Sequence, residues 1–323
     1  MKLGSFRSGS GAPWLGVLDG EGRHAFDIRA AVKVAGRDPG YYSSMQSLID
    51  AGDRGLDELR NEFEKLASCL EFARPLEHLV FLPPLPEPRQ LRDVSLYAEH
   101  IRHATPGMQR VGVQVADPAA VAVGEVAADI PPIFRERVVF YFQNRLNLVG
   151  HRAEITWPAD SEVIDFELEL GIVLGKTAAD IPKAEARSII FGYTIYNDFS
   201  ARDTQYWESK AGFGPAKAKS FDGANACGPW IVTADEIADP MSLRMGVRVN
   251  GELWAETSSA APLHDIDDVL AYLSRSETLH AGEFIGLGTV GRGCGLELGR
   301  FLKRGDSIEL WVENIGSLVN SIK

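Results

Sequence analysis

The chain has 323 residues, room for one large domain or two unequal ones, and its 45% hydrophobic and 24% charged residues are ordinary for a globular protein with a proper core. Its 33 Lys and Arg against 45 Asp and Glu leave a net charge of -12, which repels phosphate backbones and anionic lipid heads and argues against nucleic-acid or membrane partners. Three scattered cysteines are too few for a disulfide framework or a thiolate metal site. No apolar run approaches the roughly 18 residues of a membrane span, and Met1–Arg7 turns polar too soon for a signal peptide, so a cytoplasmic protein is expected.

In chain order, residues 15–18 and 25–28 are strand-like pieces joined by the turn Asp19-Gly20-Glu21-Gly22. Helical patterns follow at 44–51 and 56–72, the second with Leu59, Phe63, Leu66 and Leu70 at helical spacing. Four prolines within 83–88 exclude helix or inner strand. This predicts a small N-terminal α/β unit at 1–80, a stiff linker at 81–90 and a larger unit at 91–323. Residues 105–129 are small and without a clear period, which suggests a mobile loop or lid, or a few short strands. From 161 onward the chain reads mainly β, with Asn250-Gly251 as a hairpin turn and one helix at 266–273 capped by Asp265 or Asp267. Residues 306–313 close the chain as an alternating strand with Ser307, Glu309 and Trp311 on one face.

The run Asp165-Phe166-Glu167-Leu168-Glu169-Leu170 alternates, placing Asp165, Glu167 and Glu169 on one face about 6.6–7 Å apart. Two such carboxylates can share a cation, although the same pattern describes the wet face of an amphipathic antiparallel strand. The apolar run 189–195 then delivers Asn197-Asp198, where Asp198 or Ser200 can also act as a plain helix cap. A Gly-rich loop at 212–223 carries Lys217 and Lys219. Gly286-Leu287-Gly288-Thr289-Val290-Gly291 matches G-x-G-x-x-G, but Gly293, Gly295 and Gly299 follow where that motif demands a helix, so a dinucleotide site is not expected. Without H-E-x-x-H or paired cysteines zinc is disfavoured, and all-oxygen ligation suits Mg²⁺, Mn²⁺ or Ca²⁺.

Taken together, these motifs resemble the fumarylacetoacetate hydrolase family from Leu91 to Ile322. The family's Glu-x-Glu strand matches Glu167 and Glu169, and its Asn-Asp-x-Ser-Ala-Arg-Asp segment matches residues 197–203. Residues 91–100 resemble its Arg-Asp-Phe-Tyr-x-x-x-x-His, with Ser95 where a tyrosine is common. The resemblance implies Asp93, Glu167, Glu169 and Asp198 as ligands of one Mg²⁺ (or Mn²⁺ or Ca²⁺), with His100 as catalytic base oriented by Glu297, and Lys219 as the active-site lysine. His103, three residues beyond His100, competes for the base role. Arg202, Gln205, Thr289 and Tyr141 fall on substrate-contacting positions, Arg202 suiting a substrate carboxylate. The implied fold is α+β and β-rich, a mixed-sheet roll or barrel-like domain plus the small N-terminal unit, commonly a homodimer. The implied reaction is hydrolysis of a carbon–carbon bond in a small anionic 1,3-diketo acid by His-activated water. A decarboxylase, isomerase or sugar-acid dehydratase using the same enolate, or a non-catalytic metal-binding scaffold, are the alternatives.

Overall fold

The structure, a computed structural model, describes residues 1–66, 69–116, 126, 128–212 and 214–323. A mixed, open twelve-stranded sheet organises the chain. Its middle runs, in spatial order, through the strands Lys2–Ser8, Asn225–Thr233, Ile190–Asp198, Leu168–Leu174, Phe284–Gly286, Leu91–Val94 and Phe140–Phe142. All these neighbours are antiparallel except Phe284–Gly286 and Leu91–Val94, which run parallel. The first strand of the chain thus pairs with Asn225–Thr233, and Leu79–Phe81 pairs in turn with that first strand. Pro83, Pro84 and Leu85 are buried, and the Ser5 hydroxyl donates to the Pro84 carbonyl at 2.7 Å.

A five-stranded sheet contains Glu252–Ser258, Arg244–Val249, Ser307–Val312, Gly316–Ile322 and Glu154–Ile155. Asn250 and Gly251 both take positive φ, +52° and +81°, as the tight hairpin requires. Ile308, Leu310 and Val312 face inward while Ser307, Glu309 and Trp311 alternate with them. The main core lies between the sheets, where Phe166, Leu168, Leu170 and Ile172 share one buried cluster with Val247, Leu310, Leu318 and Leu270. Helix Ile266–Leu273 belongs to that core and is capped by Asp265, which accepts from the Asp268 amide. Behind the large sheet, Phe26, Leu48 and Leu59 pack against Val173, Tyr196 and Phe284.

Two expectations change. The second N-terminal helix spans Gly52–Leu66, and Leu70, predicted on its apolar face, lies beyond it in a short 3₁₀ turn and is exposed. Residues 105–116 are neither loop nor lid but part of a helix, Ala98–Ala116, that accommodates Pro106; most of 117–129 lies outside the described residues. The small residues there are packing contacts rather than loop punctuation. A Cβ at Gly107 would meet Leu296 at 2.6 Å, and one at Gly112 would meet the Tyr206 ring at 2.3 Å, so glycine lets the helix approach both.

Candidate active site and metal centre

Strand register assembles the site. Asp198 ends a strand whose Asn197 is opposite Leu168 and whose Tyr196 is opposite Glu169. Gly286 is opposite Gly171 on one side and Asp93 on the other, and Asp93 is opposite Tyr141. Strands lie about 4.8 Å apart, so neighbouring strand ends deliver their carboxylates to one spot. Asp93, Glu167, Glu169 and Asp198 are all buried and each offers an oxygen within 4.8 Å of the others'. The face of Glu167 and Glu169 is therefore not a wet one; both faces of the strand are covered.

Few groups answer these charges. Lys219 donates to Glu167 Oε2 at 2.8 Å and also to Asp198 Oδ2. The Tyr141 hydroxyl lies 2.5 Å from Asp93 Oδ2 and 2.9 Å from Asp198 Oδ2. Glu169 accepts from the Gly288 amide at 2.9 Å and the Thr289 hydroxyl at 3.4 Å. The 286–291 glycines thus seat a carboxylate: a Cβ at Gly286 would strike Glu169 Oε2 at 2.7 Å, and one at Gly288, at φ +80°, the Val94 carbonyl at 2.3 Å. Burial, the largest influence, drives the carboxyls of Asp93, Asp198 and Glu169 upward against the pull of Lys219. Glu167 is also desolvated, but the charges of Lys219 and Arg202 hold it well below the usual carboxylate range. Asp93 Oδ1 and Asp198 Oδ1 have no hydrogen-bond partner. Four oxygen donors with two orphaned buried oxygens fit a hard divalent cation.

The cluster opens on a cavity of about 270 Å³. Asp93, His100, Tyr141, Glu167, Glu169, Gln205, Lys219 and Thr289 line it, together with Phe134, Val139, Phe140 and Pro215. His100, rather than His103, lines it and places Nδ1 2.8 Å from Glu297 Oε1. Glu297 Oε2 accepts from the Arg292 amide at 2.8 Å. Burial pulls the imidazole down, but the hydrogen bond and charge of Glu297 outweigh it and the pKa of His100 is raised.

Arg202 and Asp198 stand behind the cavity wall. The Arg202 guanidinium is 1% exposed and is held by Asp165 at 2.7 Å, Glu167 at 2.8 Å and Gln205 at 2.8 Å. Asp165, read as a third carboxylate on the Glu167–Glu169 face, instead accepts from Arg202 and from the Gly295 and Leu296 amides. Asp165 and Glu167 share the Arg202 guanidinium, as their common face predicts, but Ile164–Asp165 pairs with Ser200–Ala201 in a separate two-stranded sheet and Asp165 is not part of the four-carboxylate cluster. Arg202→Met strands two buried carboxylates. It should cost about 3–5 kcal/mol in urea unfolding of the metal-free protein, and a loss under about 1 kcal/mol would mean the pairing contributes little.

Sequence reasoning missed Phe134, Val139 and Phe140, which carry no motif, and Cys294, whose Sγ lies 3.4 Å from Glu297 Oε1. Among the described residues no helix is long and apolar enough to cross a membrane.

The chain is 27% identical over 312 residues to the mitochondrial oxaloacetate tautomerase Fahd2a of Rattus norvegicus, covering 96% of this chain and 87% of that protein. It is 34% identical over 189 residues, 58% of its length, to an uncharacterized protein of Staphylococcus haemolyticus, of whose length the match spans 62%. Among solved structures, a fumarylacetoacetate hydrolase from psychrophilic Exiguobacterium antarcticum aligns with TM-score 0.72 and 28% identity over 100% of this chain and 99% of that one. A 5-carboxymethyl-2-hydroxymuconate delta-isomerase from Mycobacterium smegmatis aligns with TM-score 0.67 and 26% identity, at the same coverage. The family model described as fumarylacetoacetate (FAA) hydrolase C-terminal matches residues 110–323, which include Glu167, Glu169 and Asp198 and leave Asp93 and His100 just upstream. With that match over more than half of its length, the chain belongs to the fumarylacetoacetate hydrolase family.

Proposed function

We propose that this protein is a divalent-metal-dependent hydrolase that cleaves the carbon–carbon bond of an acylpyruvate-type 1,3-diketo acid. The observation that carries the reading is His100, held 2.8 Å from Glu297 and lining the same cavity as Asp93, Glu167 and Glu169 of the four-carboxylate cluster. Asp93, Glu167, Glu169 and Asp198 would hold the cation, with Mg²⁺ the first expectation and Mn²⁺ the second. A bound divalent cation supplies Lewis-acid polarisation of a carbonyl and positive charge beside a developing enolate.

The chain's own groups do the rest. Glu297 accepts from Nδ1–H and leaves the Nε2 lone pair of His100 free to take a proton from water. The resulting hydroxide adds to the acyl carbonyl, the adjacent carbon–carbon bond breaks, and the departing pyruvate enolate recovers the proton from His100. Acylpyruvate and water thus give a carboxylate and pyruvate. Lys219, in contact with Glu167 and Asp198, lends positive charge to the enolate side of the cavity. Tyr141, Gln205 and Thr289 orient the substrate, and Arg202 acts through Gln205 and Glu167.

A second reading is favoured by the tautomerase relative aligned over 96% of this chain: proton transfer between enol and keto forms of a 2-oxo diacid, without cleavage. Purified protein with Mg²⁺ and an acylpyruvate panel separates the two. Hydrolysis removes the enol absorbance and releases pyruvate in equal amount. Loss of the oxaloacetate enol absorbance without pyruvate from any acylpyruvate would overturn the hydrolase and leave the tautomerase.

A further inference from the structure

Beside the acidic cluster the fold builds a second group of metal-ligating side chains with a different chemistry. Glu167 is bridged across the chain to Cys294, and the Leu168 amide donates to the Gly293 carbonyl at 2.9 Å. That pairing swings Cys294 beneath His100, which arrives on helix Ala98–Ala116, while Glu297 follows Cys294 by three residues on the turn Gly295–Leu298. The three groups enclose a small triangle. Cys294 Sγ is 3.7 Å from His100 Nδ1 and 3.4 Å from Glu297 Oε1, and Nδ1 is 2.8 Å from Oε1. Among the described residues, these three and the four carboxylates are the two groups with such convergence. No cysteine pair or histidine motif announces the site, which is why spacing along the chain argued against zinc.

We infer that Cys294, His100 and Glu297 form a binding site for a thiophilic divalent cation such as Zn²⁺, and that its occupancy switches off the His100 base. Ordinary zinc bond lengths in a tetrahedral site put sulfur about 3.6 Å from nitrogen and oxygen, and nitrogen about 3.4 Å from oxygen. The two sulfur edges already match; only the Nδ1–Oε1 edge must open, by about 0.6 Å, as the metal replaces the hydrogen-bonded proton. Thiolate and imidazole select Zn²⁺ or Co²⁺ over Mg²⁺. Thiolate and carboxylate together cancel the charge of the ion. The balance is simple. The Cys294 thiol loses its proton to solvent, and a neutral His100 that coordinates through Nδ1 carries its remaining proton on Nε2. The lone pair that would accept a proton from water is then gone. This last consequence, but not the binding site, rests on the proposed role of His100.

The test uses full-length protein already saturated with Mg²⁺ and titrated with Co²⁺ alone. A thiolate-to-cobalt charge-transfer absorption saturating at one equivalent is expected. It should vanish in Cys294→Ala and need at least tenfold more Co²⁺ in Glu297→Gln. No such absorption in the wild type, or its persistence in Cys294→Ala, overturns the site. In parallel, Zn²⁺ should inhibit magnesium-supported turnover of the wild type at least tenfold more strongly than that of Cys294→Ala. Circular dichroism and urea unfolding like those of the wild type show that the variant folds, and each protein's inhibition is read relative to its own zinc-free turnover. Absorption without inhibition would keep the metal site and instead remove His100 as the base.

Discussion

Glu169→Gln should lower magnesium-supported turnover by at least about 10³-fold, or about 4 kcal/mol of transition-state stabilisation, while making the metal-free protein more stable than wild type. Both effects have one cause. Glu169 is fully buried, and after burial its largest burdens are the charges of Asp93 and Asp198. Glutamine keeps one oxygen to accept from the Gly288 amide and turns an NH2 toward the Thr289 hydroxyl, which can accept from it, but removes one of the charges that would hold a cation. In chelator, relief of that repulsion should raise unfolding stability by about 1–3 kcal/mol. With Mg²⁺ at one hundred times its dissociation constant the order reverses, because the wild type gains about 2.7 kcal/mol and the variant far less. Denaturant unfolding with and without Mg²⁺ reads both. A wild type with no magnesium-dependent stabilisation would remove the metal centre from the proposal.

His100→Ala should lower turnover by about 10²–10⁴-fold while metal-dependent stabilisation persists, since His100 is absent from the carboxylate cluster. The pH profile carries the sharper information. The base must be neutral, and its pKa lies above the ordinary 6.5, so activity should be present above that raised pKa and fall as pH drops through it. Stability from the charged pair runs the opposite way: it is complete below about 6.5 and is lost as pH rises through the folded value. Glu297→Gln removes the charge that raises the imidazole, so its acidic limb should move to lower pH while turnover falls. An unmoved limb would mean that another group sets it.

Much of the site was legible because its spacing is local. Glu167 and Glu169 belong to one alternating strand, and Asn197-Asp198 ends an apolar run. Asp165 shows the limit of such reading. It shares the period of Glu167 and Glu169 and even shares Arg202 with Glu167, yet its oxygens are taken up by that guanidinium and the amides at Gly295 and Leu296 rather than by the four-carboxylate cluster. Residues 105–116 show another, since glycines that admit Leu296 and Tyr206 look like loop residues when their partners are out of sight.

The sequence by itself determined the kind of chemistry: an acidic chain without a zinc motif or nucleotide loop, with carboxylates, a histidine and a lysine in an order that resembles one family. Only the tertiary structure decided the electrostatics. Sheet register brought four carboxylates into one buried cluster against Lys219 and Arg202, set Arg202 behind the cavity rather than in it, and placed Cys294 beside His100 across 194 residues of chain. Local periods fix which way a side chain points relative to its neighbours in the chain. Burial and charge depend on what the other strands place opposite, and those strands are distant in the chain.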